Sequence, residues 1–258
     1  MSAKAIRVAP IPASASRDFI ARWHYSGKPY CKSALHLGAF MGRRLVGVAA
    51  FGDPLDRAKV LPLVRDTPWH GMLELNRFAM VDGTPRNAES RTLSVCARII
   101  RKQYPGVEWI LSYADACQCG DGTIYRAAGF LLTGIKRNAG LYRYAGEIFT
   151  TVGINTSSAM RARLSRAVGA PVTNAREMVQ HGAERLPGYM LRYILPLKDD
   201  VRGRLTVPVL PYSAIEDARA GMYRGRARSI HGDAPPIQGG DGGSNPTRAL
   251  HSEPSGVA

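Results

Sequence analysis

Four side chains in this sequence could move protons around a single substrate. His24 and Tyr25 are adjacent in "RWHYSGKPY", and Asp115 and Tyr125 bracket the glycine-rich turn of "SYADACQCGDGTIYRAAGF". A carboxylate at the end of an apolar run can orient an amine and accept its proton, or position an imidazole that does so; a phenol can protonate a leaving group. Each residue also has a plainer use. A histidine closing a helix interacts well with the dipole, an aspartate before glycines builds turns, and a tyrosine packs half-buried with its hydroxyl toward water. Arg77 in "LNRF" and Ser90 in "AESRT" are two further polar candidates. The first is equally a surface ion-pair partner, and the second equally an N-cap.

Chemistry of this kind needs elements that bring the residues together. "SASRDFIARWHYSGKP" reads as a helix capped by Ser14 or Ser16, with Phe19, Ile20 and Trp23 on one face and Gly27 and Pro29 stopping it. "ALHLGAFMGRRLVGVAAFGDP" reads as a hairpin about Met41-Gly42-Arg43. "MLELNRFAMV" predicts a strand, and "SRTLSVCARIIRKQY" a helix burying Leu93, Ala97 and Ile100 and ended by Pro105-Gly106. "VEWILSYAD" has the near-continuous apolar pattern of a strand covered on both faces. Strand, loop, helix, strand predicts a right-handed βαβ unit. Ligand crevices in open α/β sheets lie outside the carboxyl ends of such strands, where Asp115 falls. The segment "TIYRAAGF" predicts a helix capped by Thr123 that brings Tyr125 to the same crevice.

The charge is unevenly spread. The chain carries +15, yet residues 199–258 hold seven arginines against seven acids, so the excess belongs entirely to residues 1–198. A folded region that basic favours a polyanion; a merely soluble cationic surface is the plain alternative. Arg43-Arg44, the face of Arg98, Arg101 and Lys102, Lys136-Arg137, and Arg161, Arg163 and Arg166 are the candidate phosphate contacts, and Trp23, Tyr25 or Tyr30 could stack a base. No apolar run approaches the ~18 residues a membrane span needs, and the N-terminus lacks the apolar core of a secretory signal, so an intracellular protein is expected. Cys31, Cys96, Cys117 and Cys119 complete no zinc set and read as free thiols. The final stretch, rich in Gly, Pro and Ser, predicts a flexible tail, with "VPVLPYSAIEDARAGMYRGRARS" holding at most one short helix.

In this order, "ELNRFAM", the loop and helix after it, "SYAD" and "GTIYRAAGF" resemble the Gcn5-related N-acetyltransferases (GNAT). The resemblance implies an α/β fold, a GNAT-like mixed twisted sheet with flanking helices over 5–198, and a largely disordered or loosely structured tail over 199–258. One departure is plain: the loop "VDGTPRNAES" has a single glycine, Gly83, where acyl-coenzyme A loops carry several so that backbone N–H groups can approach the pyrophosphate. With "RWHYSGKPY" and "NAESRTLS" added, the set is similar to the Mom proteins of Mu-like bacteriophages. That likeness implies a transferase of the host bacterial cytoplasm that places a carbamoylmethyl (acetamide) group on N6 of adenine in double-stranded DNA and hides it from restriction. It makes His24, Tyr25, Asp115 and Tyr125 catalytic and gives Arg77 and Ser90 the donor. The adenine must be flipped out to be reached. The donor is acetyl-coenzyme A or another, such as a glycyl compound. Iron is implied by the family alone; His24 and Asp115 are ligand types it accepts, but two residues are not a site and no metal ligand is named. An ordinary GNAT N-acetyltransferase acting on a small-molecule or protein amine, and a non-catalytic DNA-binding protein on the same fold, are the competing readings. Oligomeric state is left open.

Overall fold

The structure, a computed structural model, describes residues 2–116, 120–137, 140–223 and 226–227. Cys117, Cys119 and the tail beyond 227 lie outside them. Strand β1 (Ile6–Pro10) leads into helix α1 (Ala13–Trp23), then the hairpin β2 (Ser33–Met41) and β3 (Arg44–Gly52), the single turn α2 (Arg57–Val60) and strand β4 (Met72–Met80). Helix α3 (Ala88–Gln103), strand β5 (Trp109–Asp115), helix α4 (Thr123–Ala127) and strand β6 (Leu131–Arg137) follow. Next come β7 (Leu141–Tyr144), β8 (Glu147–Thr150), α5 (Thr151–Thr156), α6 (Ser158–Val168), α7 (Ala175–Gln180) and β9 (Glu184–Arg185). Strand β10 (Tyr189–Pro196), a 3-10 helix (Asp199–Arg204), α8 (Ala214–Asp217) and the short pair β11 (Met222–Tyr223) and β12 (Arg226–Ala227) close the described chain.

Seven strands form one sheet in the order β1-β2-β3-β4-β5-β10-β6. Every pairing is antiparallel except β4 with β5, the expected βαβ unit. The fold is mixed α/β, with α1 packed over β2, β3 and β4 through Phe19 and Ile20. Helix α3 buries Leu93, Cys96, Ala97 and Ile100, the i, i+3, i+4, i+7 stripe its sequence carries. Trp109, fully buried, starts β5 and donates its indole N–H to Thr67 Oγ1 at 3.0 Å.

Three expected caps are moved. Helix α1 begins at Ala13 behind Pro12 with no side-chain cap, because Ser16 is buried and its hydroxyl lies 2.9 Å from His36 Nδ1. Helix α3 begins at Ala88 after Asn87 in the left-handed region, so Ser90 sits inside the first turn with Oγ donating to the Asn87 carbonyl. Helix α4 follows Gly122, and Thr123 is its first residue, held by Asp121 Oδ1. The folded chain also runs past 198. Glu108 pairs with Lys198 at 3.1 Å and Arg204 at 2.6 Å, Val201 and Ile215 are buried, and Tyr212 donates to the Phe130 carbonyl. Single-sequence periodicity was too weak over 199–217 to signal these anchors, because each partner lies on a distant strand.

Candidate active site

The parallel pairing of β4 and β5 is short: Met72, Leu73 and Glu74 face Trp109, Ile110 and Leu111, and there it stops. Both strands continue, β4 to Met80 and β5 to Asp115, so they part above Glu74 and Leu111 and leave a fork in the sheet. A bulge in β4 helps to turn it away. Leu75 and Arg77 pair with consecutive β3 residues, Phe51 and Ala50, leaving Asn76 as the extra residue. The bulged Asn76 is pinned from both ends, accepting from Ser33 Oγ at 3.0 Å and donating to the Asp53 carbonyl at 3.1 Å.

The α1 side of this fork collects titratable groups. Glu74 and Arg77 share that face, because the bulge restores the phase of the strand between them. Arg77 is locked: its Nε donates to the Lys28 carbonyl at 2.8 Å, its Nη1 to the Asn76 carbonyl at 2.6 Å, and its guanidinium lies 5.5 Å from the Tyr30 ring centre. Burial pushes the Glu74 carboxyl up to about 7, against a hydrogen bond from Asn76 and the charge of Arg77. Tyr30 and Tyr113 are both held above the ordinary phenol range, first by burial and then by the nearby Glu74 charge. Arg192, opposite Tyr113 across β5 and β10, closes the cluster, its guanidinium held on Thr133.

His24 caps the C-terminus of α1, its backbone N–H bonded to the Ile20 carbonyl. Its Nδ1 accepts from the Ser26 backbone N–H at 3.1 Å and faces Ser26 Oγ at 2.8 Å. An Nδ1 that accepts puts the proton of the neutral ring on Nε2. Burial, and then the nearby Arg77 charge, push its pKa down to about 3. At neutral pH His24 is therefore a hydrogen-bond donor through Nε2, and the expected role as base does not suit it. Tyr25, 45% exposed, leans on it with ring centres 4.3 Å apart and the planes tilted by 31°.

The other expected residues divide between places. Asp115 is 8% exposed and ends β5 opposite Met190. Strand alternation puts it on the face of Tyr113, at the mouth of the fork. Tyr125 lies on the opposite face, where α4 packs it against Tyr193 and Phe130 with ring centres 5.2 and 5.3 Å away. Tyr193 is paired with Ser112 of β5, next to the fork. Ser90 is further off, in a groove it shares with Lys4, Arg86, Asn87, Arg91 and Ala127. Thus His24, Tyr25 and Arg77 meet, Asp115 joins along the same face, and Tyr125 and Ser90 lie on the α3/α4 side. The sequence reading missed Glu74, Tyr113 and Arg192. "LELNRF" does carry a signal for Glu74: a lone carboxylate amid an apolar strand that enters a βαβ crossover.

Two buried polar atoms on the α3/α4 side, Ser112 Oγ and Arg91 Nε, find no hydrogen-bond partner among the described residues. Among the described residues no three His, Cys, Asp or Glu side chains gather around one point. No helix among the described residues is long and apolar enough to cross a membrane.

A model of the Mom protein family matches residues 5–214. Over 153 residues the chain is 39% identical to "Methylcarbamoylase mom" of Escherichia phage Mu, an alignment covering 59% of this chain and 63% of that protein. Among solved structures, an IAA acetyltransferase from Bacillus cereus superposes with a TM-score of 0.41 at 12% identity, covering 74% of this chain and 99% of the other. The ribosomal-protein-S18-alanine N-acetyltransferase from Escherichia coli does so with a TM-score of 0.41 at 11% identity, covering 75% and 94%.

Proposed function

The chain belongs to the Mom protein family, and from that membership we propose that it is a phage DNA-modification enzyme, transferring a carbamoylmethyl group to N6 of adenine in the host cytoplasm and protecting that DNA from restriction. The observation that carries the reading is the fork. It offers a carboxyl with a pKa near 7 beside a fixed arginine and a neutral histidine donor, at the edge of a strongly basic domain.

The exocyclic amine of adenine is a weak nucleophile because its lone pair is delocalised into the ring. Bond formation from N6 to the CH2 carbon of a carbamoylmethyl donor must break that carbon's bond to its leaving group, which departs with the electron pair. The amine proton must go to a base as this happens. Glu74, ionised above about pH 7, is the base best placed by its pKa. Arg77 and His24 Nε2–H orient the base and the amide oxygen of the incoming group. Asp115, at the mouth, holds the amine of a nucleotide turned out of the stack, an extrusion costing a few kcal/mol, and exposed Tyr25 offers it a ring to stack on. The donor lies on the α3/α4 side, with Ser90 and Arg91 along it and Ser112 and Tyr125 near the reacting end. Acetyl-coenzyme A has no leaving group on its methyl carbon and no amide nitrogen, so it serves only with a further step that supplies both; a glycyl compound, whose CH2 carbon already bears a heteroatom, is the other donor class. Labelled glycine fed to expressing cells separates them by whether the label enters the nucleoside.

The test is mass spectrometry of nucleosides from the DNA of an expressing strain, beside an Asp115→Asn strain. The expected result is a deoxyadenosine bearing one carbamoylmethyl group in place of a hydrogen, much reduced in the variant, together with DNA that resists restriction. Unaltered adenine alongside acetyl-coenzyme A turnover on a small amine would replace this reading with an ordinary N-acetyltransferase.

A further inference from the structure

Residues 141–186 form an insertion between β6 and β10 that the main sheet does not need. It has its own three-stranded sheet, β8-β7-β9, and its own core of Phe149, Ile154, Leu164, Val172, Ala175 and Met178. We propose that this insertion is the platform on which duplex DNA docks, its phosphates held by Arg166, Arg176 and Arg185 and by Lys136 and Arg137 at its root. The inference rests on the reading of DNA as the substrate and adds the surface that holds it.

Position is the first argument. Tyr189 pairs with Arg137, and Met190 pairs with both Lys136 and Asp115. The insertion therefore rises from the end of the sheet at which β5 stops in Asp115, beside the mouth of the fork. A duplex lying on it passes the place where an extruded base must enter.

Charge is the second. The insertion holds six arginines against three glutamates, and every glutamate is already engaged within it. Glu147 pairs with Arg163, Glu184 with Arg143 at 3.6 Å, and Glu177 accepts from Thr173 and Asn174 in the cap of α7. Arg161 is turned inward onto the Ile154 and Asn155 carbonyls at the end of α5. Arg166, Arg176 and Arg185 are exposed and make no ion pair among the described residues, and the same holds for Lys136 and Arg137. Leu164, Met160 and Val168 occupy the core-facing side of α6, which leaves Arg166 on the outer side. Cations with neither an internal partner nor a share in the core are the kind that trade counterions for phosphates.

The basic cluster on α3 is badly placed for this. Helix α3 runs back from the fork, so Arg98, Arg101 and Lys102 lie at the far end of the sheet, and Arg101 is tied to the Leu197 carbonyl at 2.8 Å. The expected phosphate role of that face is not supported.

The experiment is fluorescence anisotropy of a labelled duplex over a series of salt concentrations, with four full-length proteins. They are the wild type, R166Q/R176Q/R185Q, the same positions changed to lysine, and R98Q/K102Q. Folding of each is checked by thermal unfolding. The glutamine triple is expected to lose affinity about tenfold or more and to show a shallower log–log salt slope, by ~0.9 for each phosphate contact removed. The lysine triple keeps most of the affinity, because the attraction is to charge, and the α3 variant binds like the wild type. A glutamine triple that binds with wild-type affinity and slope, while the wild type binds and modifies DNA, overturns the platform alone. Loss located in the α3 variant overturns it too. A wild type that neither binds duplex nor alters adenine overturns the substrate reading and the platform together.

Discussion

At the scale of single residues, burial has opposite consequences for Glu74 and His24. Glu74 is pushed up to about 7, so its carboxylate, the form that can accept a proton, accumulates as pH rises through that value. The rate of modification should climb with pH through about 7 and level off roughly a unit higher. Glu74→Gln should lower it by ~10² to 10⁴, the usual worth of a positioned base, and remove the rising limb. Initial rates across pH 5.5 to 8.5 (roughly the range over which a group of this kind titrates) check both points. His24 is pushed down to about 3, so the folded protein resists a proton that the unfolded chain takes up near 6.5. Its neutral burial contributes stability above about 6.5 that is lost as pH falls toward 3. His24→Gln should flatten that part of the curve, which unfolding midpoints at pH 7 and pH 5 would reveal. If the midpoint of the variant falls with acid as steeply as that of the wild type, the depressed pKa assigned to His24 is wrong.

At the scale of elements, the fork is made by a bulge and kept by a close approach of backbone. Gly52 ends β3 opposite Glu74, and an added Cβ there would overlap the Lys32 carbonyl oxygen and crowd Ser33 Cα. The loop that carries His24, Lys28 and Tyr30 descends over this glycine to reach β2. Gly52→Ala must displace backbone, not the tip of a side chain, and should cost ~1 to 3 kcal/mol. It should also weaken the hold of Lys28 on Arg77, so activity should fall at temperatures where the variant is still folded. Chemical denaturation with a parallel activity assay measures the two losses. Much of this was readable in advance. The crossover β4-α3-β5 and the hairpin were legible because their periodicities of 3.6 and 2 are local. The fork was not, since it depends on how many residues of β4 pair with β5. Glu74 was passed over for that reason: a glutamate in an alternating run looks solvated until a second strand leaves it beside Tyr30 and Tyr113. His24, Tyr25 and Arg77 were found, and they meet. Tyr125 was found but lies across the sheet, because α4 packs behind β5 against Tyr193. "SAMRARLSRAVG" was read as charge alone, although Met160, Leu164 and Val168 in it are the i, i+4, i+8 stripe of a second core.

At the scale of the whole molecule, the proposed reaction uses both faces of one sheet, joined at the fork. In that proposal the donor takes the α3/α4 side, the titratable cluster on the α1 side handles the proton, and the insertion rises beside the mouth. The insertion core should be separable from the chemistry. Leu164→Ala removes a fully buried side chain at ~2 to 5 kcal/mol, and it should weaken duplex binding more than it alters the pH profile. The most direct test of the central claim, that adenine is modified at the fork, is the yield of altered deoxyadenosine from wild type and Glu74→Gln at matched occupancy on the same duplex. Full binding with the modified nucleoside nearly absent from the variant is the predicted result. Equal yields from the two proteins would contradict it and place the chemistry elsewhere.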